Sequence, residues 1–272
     1  MLINGKTENM IPAADRGLQY GDGLFETIAI RNGNPCLWKY HLERLHNGCQ
    51  RLGIPAPGNS LLRDEVLTEI GDKQQGVIKI ILTRGAGGRG YRPPSDPTPT
   101  RIINWSESPV YPENAHQRGI ITRLCSTRLG WNPALAGIKH LNRLEQVLAR
   151  AEWHDPSIQE GLMMDSAGHV IEGTMSNLFI IQNKQLITPD LSRCGVAGVM
   201  QGIVLRTAER LNISVIVNDV TLQDLWSADA LFITNSLIGL WPVRELSGQE
   251  FDIEAIPQQL TDNVMQLAFD HE

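Results

Sequence analysis

Apolar and polar residues alternate in short runs along the first hundred positions, and these runs predict strands and helices in turn. Residues 23–31 and 35–38 are rich in β-branched, aromatic and other apolar side chains, and they flank the turn-forming sequence Asn-Gly-Asn, so a hairpin is predicted there. Residues 41–52 carry apolar side chains every three or four positions, the spacing of a helix with one buried face. The same patterns predict three further elements: a helix over 60–70 with Ser60 as its N-cap, and strands over 77–83 and 101–105.

The second half of the chain mixes strand and helix patterns without strict alternation. A stretch with little periodicity predicts a linker at 113–119, between a domain over 1–112 and a larger one over 120–272. This mixture favours two α/β lobes over a single doubly wound sheet. A helix is predicted over 141–153, with one apolar stripe made of Leu141, Leu144, Leu148 and Ala151. The other predicted elements are strands over 120–125, 161–164, 170–172, 177–181, 185–188, 215–217 and 230–234, a hairpin turn at Asn183-Lys184, and helices over 199–211 and 256–269.

Composition narrows the classes of partner and compartment. The 272 residues are 42% hydrophobic and 20% charged, which is typical of a globular protein, and the formal net charge is −6. Because no excess positive charge is available to neutralise phosphates, a nucleic acid partner is not expected. The chain shows no signal-peptide pattern and no apolar run of about 18 residues, so no membrane association and a cytoplasmic location are expected.

Cysteine and histidine usage argues against a metal site. The four cysteines form no C-x-x-C pair, and the seven histidines form no H-x-x-x-H face. The cysteines are therefore interpreted as buried, unreactive thiols, and no metal is expected.

A glycine-rich loop over residues 85–90 satisfies the pattern G-x-G-x-x-G directly after a predicted strand. A dinucleotide fingerprint also needs a helix to open at the third glycine, and the closely spaced Pro93, Pro94 and Pro97 prevent one. Two interpretations of the arginines at 84, 89 and 92 stay open: a solvated turn, or a loop that recognises an anionic substrate.

Several groups that are far apart in the sequence could take part in catalysis or binding, although each is weak evidence for a site by itself. Lys139 lies in an apolar stretch, and burial would free its amine to act as a nucleophile. Glu172 precedes a turn of small polar residues. The turns at 195–198 and 234–236 could present backbone N–H groups to a phosphate.

Taken together, these groups resemble the fold-type IV pyridoxal-phosphate (PLP) enzymes, which include D-amino-acid and branched-chain aminotransferases and aminodeoxychorismate lyase. The resemblance runs from residues 15–27 to residues 241–243. Within that group, residues 84–91 and 135–148 are most similar to the lyases. The resemblance implies a two-lobed, D-amino-acid aminotransferase-like α/β fold, PLP as the cofactor, and a homodimer.

The resemblance also implies a role for individual residues. Lys139 would bind the cofactor covalently, Glu172 would face its ring nitrogen, and Arg44 would take its phosphate. The backbone N–H groups of Val196, Ala197 and Leu237 and the side chain of Ser236 would complete the phosphate site. The substrate would be held by Arg89, Tyr91 and Asn235.

The implied activity is a lyase that converts 4-amino-4-deoxychorismate, a small dicarboxylate, into 4-aminobenzoate and pyruvate for folate biosynthesis. Two alternatives stay open. One is a PLP-dependent aminotransferase for D-alanine or branched-chain amino acids, and the other is a PLP-binding protein without catalytic activity.

Overall fold

The computed structural model describes residues 1–269 and divides into two compact units. The first unit comprises Met1–Pro109 with Ile138–Asn142, and the second comprises Val110–Gly137 with Arg143–Ala268. Residues 113–119, which the sequence assigns to a linker, contain a short helix of the second unit. Residues 270–272, the end of the expected second domain, lie outside the described residues.

The first unit is a six-stranded antiparallel sheet covered by two helices. Its strand order is β2-β1-β6-β5-β3-β4, and the nine residues of β3 pair in register with the nine of β5. Apolar side chains of α2 and α3 pack on the sheet and form its core. The elements in chain order are β1 (Leu2–Ile3), β2 (Lys6–Thr7), α1 (Arg16–Tyr20), β3 (Gly23–Arg31), β4 (Asn34–Pro35), α2 (Trp38–Leu52), α3 (Asn59–Ile70), β5 (Gln75–Thr83) and β6 (Thr100–Ser106).

Two sequence predictions in this unit are wrong at their edges. The predicted strand over 35–38 ends at Pro35, and Trp38 already begins α2. The apolar run of Cys36, Leu37 and Trp38 is buried, so it resembles a strand without pairing as one. Gly58, not Ser60, is the N-cap of α3.

The second unit is built on a nine-stranded mixed sheet. Strands β10-β13-β14-β7-β8-β9 are neighbours in that order, and the pairing of Asn177 with Glu172 joins β10 to β9, which closes these six strands into a barrel. The elements are α4 (Ala115–Arg118), β7 (Ile120–Leu129), α5 (Leu144–Arg150), β8 (Ile158–Asp165), β9 (Val170–Gly173), β10 (Asn177–Gln182), β11 (Gln185–Pro189), α6 (Val199–Arg210), β12 (Val215–Asn218), α7 (Leu222–Trp226), β13 (Ala230–Asn235), β14 (Gly239–Leu246), β15 (Gln249–Glu250), a 3₁₀ helix (Ile253–Ala255) and α8 (Gln258–Ala268).

The predicted helix over 141–153 is shorter than expected and buries a different face. Residues 138–142 are extended and pair with β3 in the first unit, so α5 begins only at Leu144. Within α5 the buried residue is Ala149, whereas Leu144 and Leu148 of the predicted stripe are 76% and 61% exposed. The helical spacing of these leucines therefore does not mark the core.

Candidate active site

Lys139 lies on the extended segment that pairs with β3. The N–H of Phe25 donates to the Lys139 carbonyl at 3.0 Å, and the N–H of Leu141 donates to the Gly23 carbonyl at 3.0 Å. The neighbouring Ile138 is part of the buried core of this unit. The Lys139 Nζ lies 4.2 Å from the centroid of the Phe25 ring, within cation–π range. The backbone and an aromatic face thus fix the position of this partly buried amine.

Next to Phe25, Glu26 holds two cationic or titratable side chains of α2. Arg44 donates to it through Nε at 2.8 Å and through Nη2 at 2.5 Å, a bidentate pair that fixes the plane of the guanidinium. His41 Nδ1 lies 2.7 Å from the second oxygen of the same carboxylate. Glu26 and His41 are each 1% exposed. This buried triad places Arg44, the predicted phosphate ligand, in the same unit as Lys139.

The charges of the triad follow from its pKa directions. Burial raises the pKa of Glu26, but the charge and hydrogen bonds of Arg44 and the hydrogen bond of His41 outweigh burial, so the pKa falls to about 2. Burial lowers the pKa of His41, and the hydrogen bond to Glu26 only partly opposes this. His41 is therefore neutral at pH 7 and donates its Nδ1 proton to an ionised Glu26.

The glycine-rich loop is tied to the first unit by two arginines. Arg84 pairs with Asp22 and donates to the carbonyls of Leu52 and Gly53 at the end of α2, so it is a structural residue. Arg16 also pairs with Asp22, and it donates to the carbonyls of Gly90 and Tyr91 at 3.0 and 2.9 Å. No helix follows the loop, as the prolines predict.

The two predicted substrate residues of this loop are both solvent-facing. Arg89 is exposed, and Tyr91 is 84% exposed with its ring 5.4 Å from that of Tyr20. The anchors at Gly90 and Tyr91 hold the loop in place and leave the Arg89 side chain outside its hydrogen-bond network.

In the second unit, Glu172 is buried at the end of β9 and accepts a hydrogen bond from the Val196 N–H at 2.8 Å. Arg143, at the start of α5, is a further charged group beside it. Burial lowers the pKa of Arg143, and the negative charges of Glu172 and Glu145 oppose that shift. Sequence reasoning missed Arg143, although it stands only four residues after Lys139.

The N–H groups of Val196 and Ala197, which are predicted to bind a phosphate, have acceptors within the protein. The Val196 N–H is used by Glu172, and the Ala197 N–H donates to the Gly137 carbonyl at 3.1 Å. Helix α6 instead begins at Val199 after Gly198, which provides no side-chain cap. Within residues 1–269 no acceptor is found for the N–H groups of Val199 and Met200. An uncapped helix start of this kind favours an anion, so the N–H groups of Val199 and Met200 could bind a phosphate.

The turn after β13 also differs from the prediction in detail. The Leu237 N–H donates to Asn235 Oδ1 at 2.8 Å, and the Ile238 N–H donates to the same oxygen at 3.1 Å. Asn235 Nδ2 donates to the Met175 carbonyl at 3.2 Å. Asn235 and Leu237 are therefore engaged within the protein, and Asn235 shapes the turn. Ser236 makes no side-chain hydrogen bond to the described residues and is the group of this turn that could bind a phosphate.

Within residues 1–269, neither the cysteines nor a metal site forms a second reactive centre. In residues 1–269 no disulfide joins the four cysteines, all four are buried as predicted, and burial raises the pKa of Cys125 and Cys194 to about 12 and that of Cys49 to about 11. Residues 1–269 contain no group of three or more His, Cys, Asp or Glu side chains arranged to hold a metal ion. In the same range, every helix is too short or too polar to cross a bilayer.

Comparison with known proteins agrees with this fold. Residues 23–246 match the family model of class IV amino-transferases. The chain is 39% identical to an aminodeoxychorismate lyase from Vibrio harveyi, with 93% of each chain covered, and 28% identical to a D-alanine aminotransferase from Bacillus licheniformis, with 97% and 94% covered. The crystal structure of 4-amino-4-deoxychorismate lyase from Pseudomonas aeruginosa superimposes with a TM-score of 0.92 at 45% identity, with 98% of this chain and 97% of that chain covered. The chain therefore belongs to the class IV amino-transferase family and has the fold-type IV architecture that its sequence predicts.

Proposed function

We propose that the protein is a PLP-dependent lyase that converts 4-amino-4-deoxychorismate into 4-aminobenzoate and pyruvate. The observation that carries this proposal is the similarity, over nearly the full length, to aminodeoxychorismate lyases from Vibrio harveyi and Pseudomonas aeruginosa. The D-alanine aminotransferase is less similar, at 28% identity. The activity is therefore assigned to the lyase branch of the family.

The donor groups of the chain fit PLP. A phosphate dianion needs a cation and N–H donors, and these are Arg44, the uncapped start of α6 at Val199 and Met200, and the Ser236 hydroxyl. A protonated ring nitrogen needs a carboxylate, and Glu172 supplies one that the Val196 N–H already orients. When bound, PLP supplies an electron sink for the carbanion formed at the carbon that carries the substrate amine.

Lys139 is assigned two functions. Its Nζ would hold the cofactor, and in the presence of substrate its amine would remove the proton from the ring carbon that bears nitrogen. The bond from the adjacent carbon to the enolpyruvyl oxygen breaks, which leaves an aromatic ring. A proton returned to the departing enolpyruvate gives pyruvate, and Lys139 can supply it. Formation of the aromatic ring favours elimination over amino transfer.

Arg89 is proposed to bind a carboxylate of this dicarboxylate substrate. Its side chain is exposed, while the loop around it is anchored to Arg16. A guanidinium pairs with a carboxylate through two parallel hydrogen bonds. Tyr91, also exposed, is proposed as its neighbour in substrate binding.

The proposal also includes a homodimer, a cytoplasmic location and a place in folate biosynthesis. Support for a second copy comes from α5, where Leu144, Val147 and Leu148 are 76%, 60% and 61% exposed. Three large apolar side chains exposed on one short helix are typical of an interaction surface.

The experiment that tests the activity is an incubation of PLP-loaded protein with aminodeoxychorismate, in which 4-aminobenzoate and pyruvate are measured. We expect both products from the wild-type protein, and neither product nor bound-cofactor absorbance from Lys139→Ala. Borohydride reduction followed by mass spectrometry locates the covalent adduct. A dependence on added keto acid would instead indicate the aminotransferase, and an adduct at another lysine would contradict the assignment of Lys139.

A further inference from the structure

We infer that Glu160 is a positioning residue for the cofactor site, because its carboxylate holds the loop that connects β9 to β10 and carries Met175. This inference rests on the proposed PLP site, since β9 ends next to Glu172 and the loop is bonded to the turn that contains Ser236. Glu160 itself is not assigned a contact with the cofactor or the substrate.

Glu160 lies on β8, is 2% exposed, and accepts five hydrogen bonds. One oxygen accepts from the Gly161 N–H at 2.9 Å, the Thr174 N–H at 3.1 Å and the Thr174 hydroxyl at 2.5 Å. The other oxygen accepts from the Met175 N–H at 3.2 Å and the Ser176 hydroxyl at 2.8 Å. Four of the five donors belong to residues 174–176.

The loop closes tightly around this carboxylate. A Cβ atom at Gly173 would lie 2.2 Å from the Ser176 Oγ and 2.8 Å from Glu160 Oε2. Only a residue without a side chain allows the chain to turn so close to Glu160 at this point. The Gly173 N–H also donates to the Ser176 carbonyl at 2.7 Å. Glu160 thus gives the Met175 N–H an acceptor, and it gives a second acceptor to the Thr174 N–H, which also donates to the Gly161 carbonyl at 3.0 Å.

Hydrogen bonds connect this loop to two proposed cofactor-binding segments. The Met175 carbonyl accepts from Asn235 Nδ2, and Asn235 Oδ1 accepts the N–H groups of Leu237 and Ile238, so the turn around Ser236 is bonded to the loop. Directly after the loop, Asn177 Nδ2 donates to the Val196 carbonyl at 2.8 Å, which ties it to the segment before α6. These contacts link Glu160, through at most two side chains, to the Ser236 turn and to the entry of α6.

Glutamine is the informative replacement for Glu160. Glutamine keeps the size of the side chain but replaces one carboxylate oxygen with an NH₂ group. Because each oxygen of Glu160 accepts from at least one backbone N–H, which can only donate, at least one buried N–H loses this acceptor. Glu152→Gln is the matched control. Glu152 likewise accepts from two backbone N–H groups and a hydroxyl, at Ser126 and Thr127, and it also pairs with Arg123. All three of these partners lie in β7 and none in the segments described above.

Two measurements on the full-length protein test the inference. In titrations of apo protein with PLP, Glu160→Gln should raise the dissociation constant at least about tenfold, and Glu152→Gln should leave it within about twofold. In amide hydrogen exchange of the apo protein, Glu160→Gln should speed exchange in residues 174–176 and in residues 235–238, at a temperature where circular dichroism shows both variants folded.

Each outcome decides the inference. If Glu160→Gln bound PLP like the wild type, or if Glu152→Gln weakened it equally, Glu160 would be a purely structural residue. Should Glu160→Gln fail to fold, Ser176→Ala removes one of the five donors and should weaken PLP binding about threefold, with an unchanged affinity counting against the inference. A wild-type protein that bound no PLP would overturn the proposed function, whereas the hydrogen-exchange result tests Glu160 without the cofactor.

Discussion

Single residues in the first unit show how a buried carboxylate can serve a site that it does not enter. Glu26 uses both oxygens to hold Arg44 and His41, and Phe25, one residue earlier, contacts Lys139. Local sequence pattern offered no role for Glu26, because a strand residue that faces a charged helix position looks like any solvent-facing polar residue. The ion pair becomes visible only in the three-dimensional structure, where α2 packs against β3. Lys139, Glu172 and Arg44, in contrast, are proposed as site residues from the family resemblance that the motifs around them carry.

The first residue-scale prediction concerns Glu26→Gln. Removing the charge takes away the ionised acceptor that Arg44 and His41 share, so the free energy of unfolding at pH 7 should fall by about 3 kcal/mol. The pKa of Glu26 is lowered from 4.5 to about 2, so its stabilising contribution is complete above pH 4.5 and is lost as the pH falls through 2. Urea unfolding at pH 7 and at pH 2.5 should therefore show the gap between wild type and variant narrowing in acid.

A matched variant separates stability from site geometry. Arg101 donates to Glu65 in a second bidentate pair of the same unit, and no described contact joins that pair to Lys139 or Arg44. Glu65→Gln should lower stability without changing PLP affinity, whereas Glu26→Gln should weaken PLP binding through Arg44. Equal PLP affinities for the two variants would contradict a positioning role for Glu26.

Elements with regular alternation were predictable, and elements fixed by distant pairing were not. The hairpin turn at Asn183-Lys184 is present with both residues at positive φ, as such a turn requires. The helix predicted over 141–153 lost its first turn because residues 138–142 pair with β3, which lies more than a hundred residues away. In the same way, the turn at 195–198 was predicted from its small residues, but the N–H groups of Val196 and Ala197 have acceptors within the protein and α6 begins only after the turn.

The element-scale prediction tests the start of α6 with Gly198→Ala. Gly198 has an ordinary φ of −69°, so the change introduces no backbone strain, but the new Cβ would lie 1.9 Å from Asn177 Oδ1. Asn177 must move and release the Val196 carbonyl, which shifts the entry of the helix. We expect PLP affinity to fall at least about tenfold, measured by titration of the apo protein.

Gly202→Ala on the same helix is the control for that change. A Cβ there would meet only the flexible end of Arg206, with the nearest atom at 3.3 Å. It should leave PLP affinity unchanged and raise stability by up to about 1 kcal/mol through helix propensity. If both variants lost PLP affinity, PLP binding would depend on α6 as a whole and not specifically on its first turn.

At the scale of the whole molecule, the proposed homodimer would explain why sequence pattern and burial disagree in α5. The leucines of α5 have the spacing of a core stripe, yet in the single chain they face solvent. A stripe that is apolar by sequence and exposed in the monomer is expected where a second copy covers it. In a symmetric dimer the same helix face would be buried in both subunits.

Leu148→Asp tests this assignment, because a charge buried in an apolar contact costs several kcal/mol and the symmetry places it in both subunits. Light scattering across a dilution series should show a dimer for the wild type and a monomer for the variant. Leu61→Asp is the control, since Leu61 is also an exposed leucine, at 44%, but lies on α3 of the other unit. It should remain dimeric. If Leu148→Asp stayed dimeric at the same concentrations, a different surface would have to form the dimer, and the exposed face of α5 would lose its explanation.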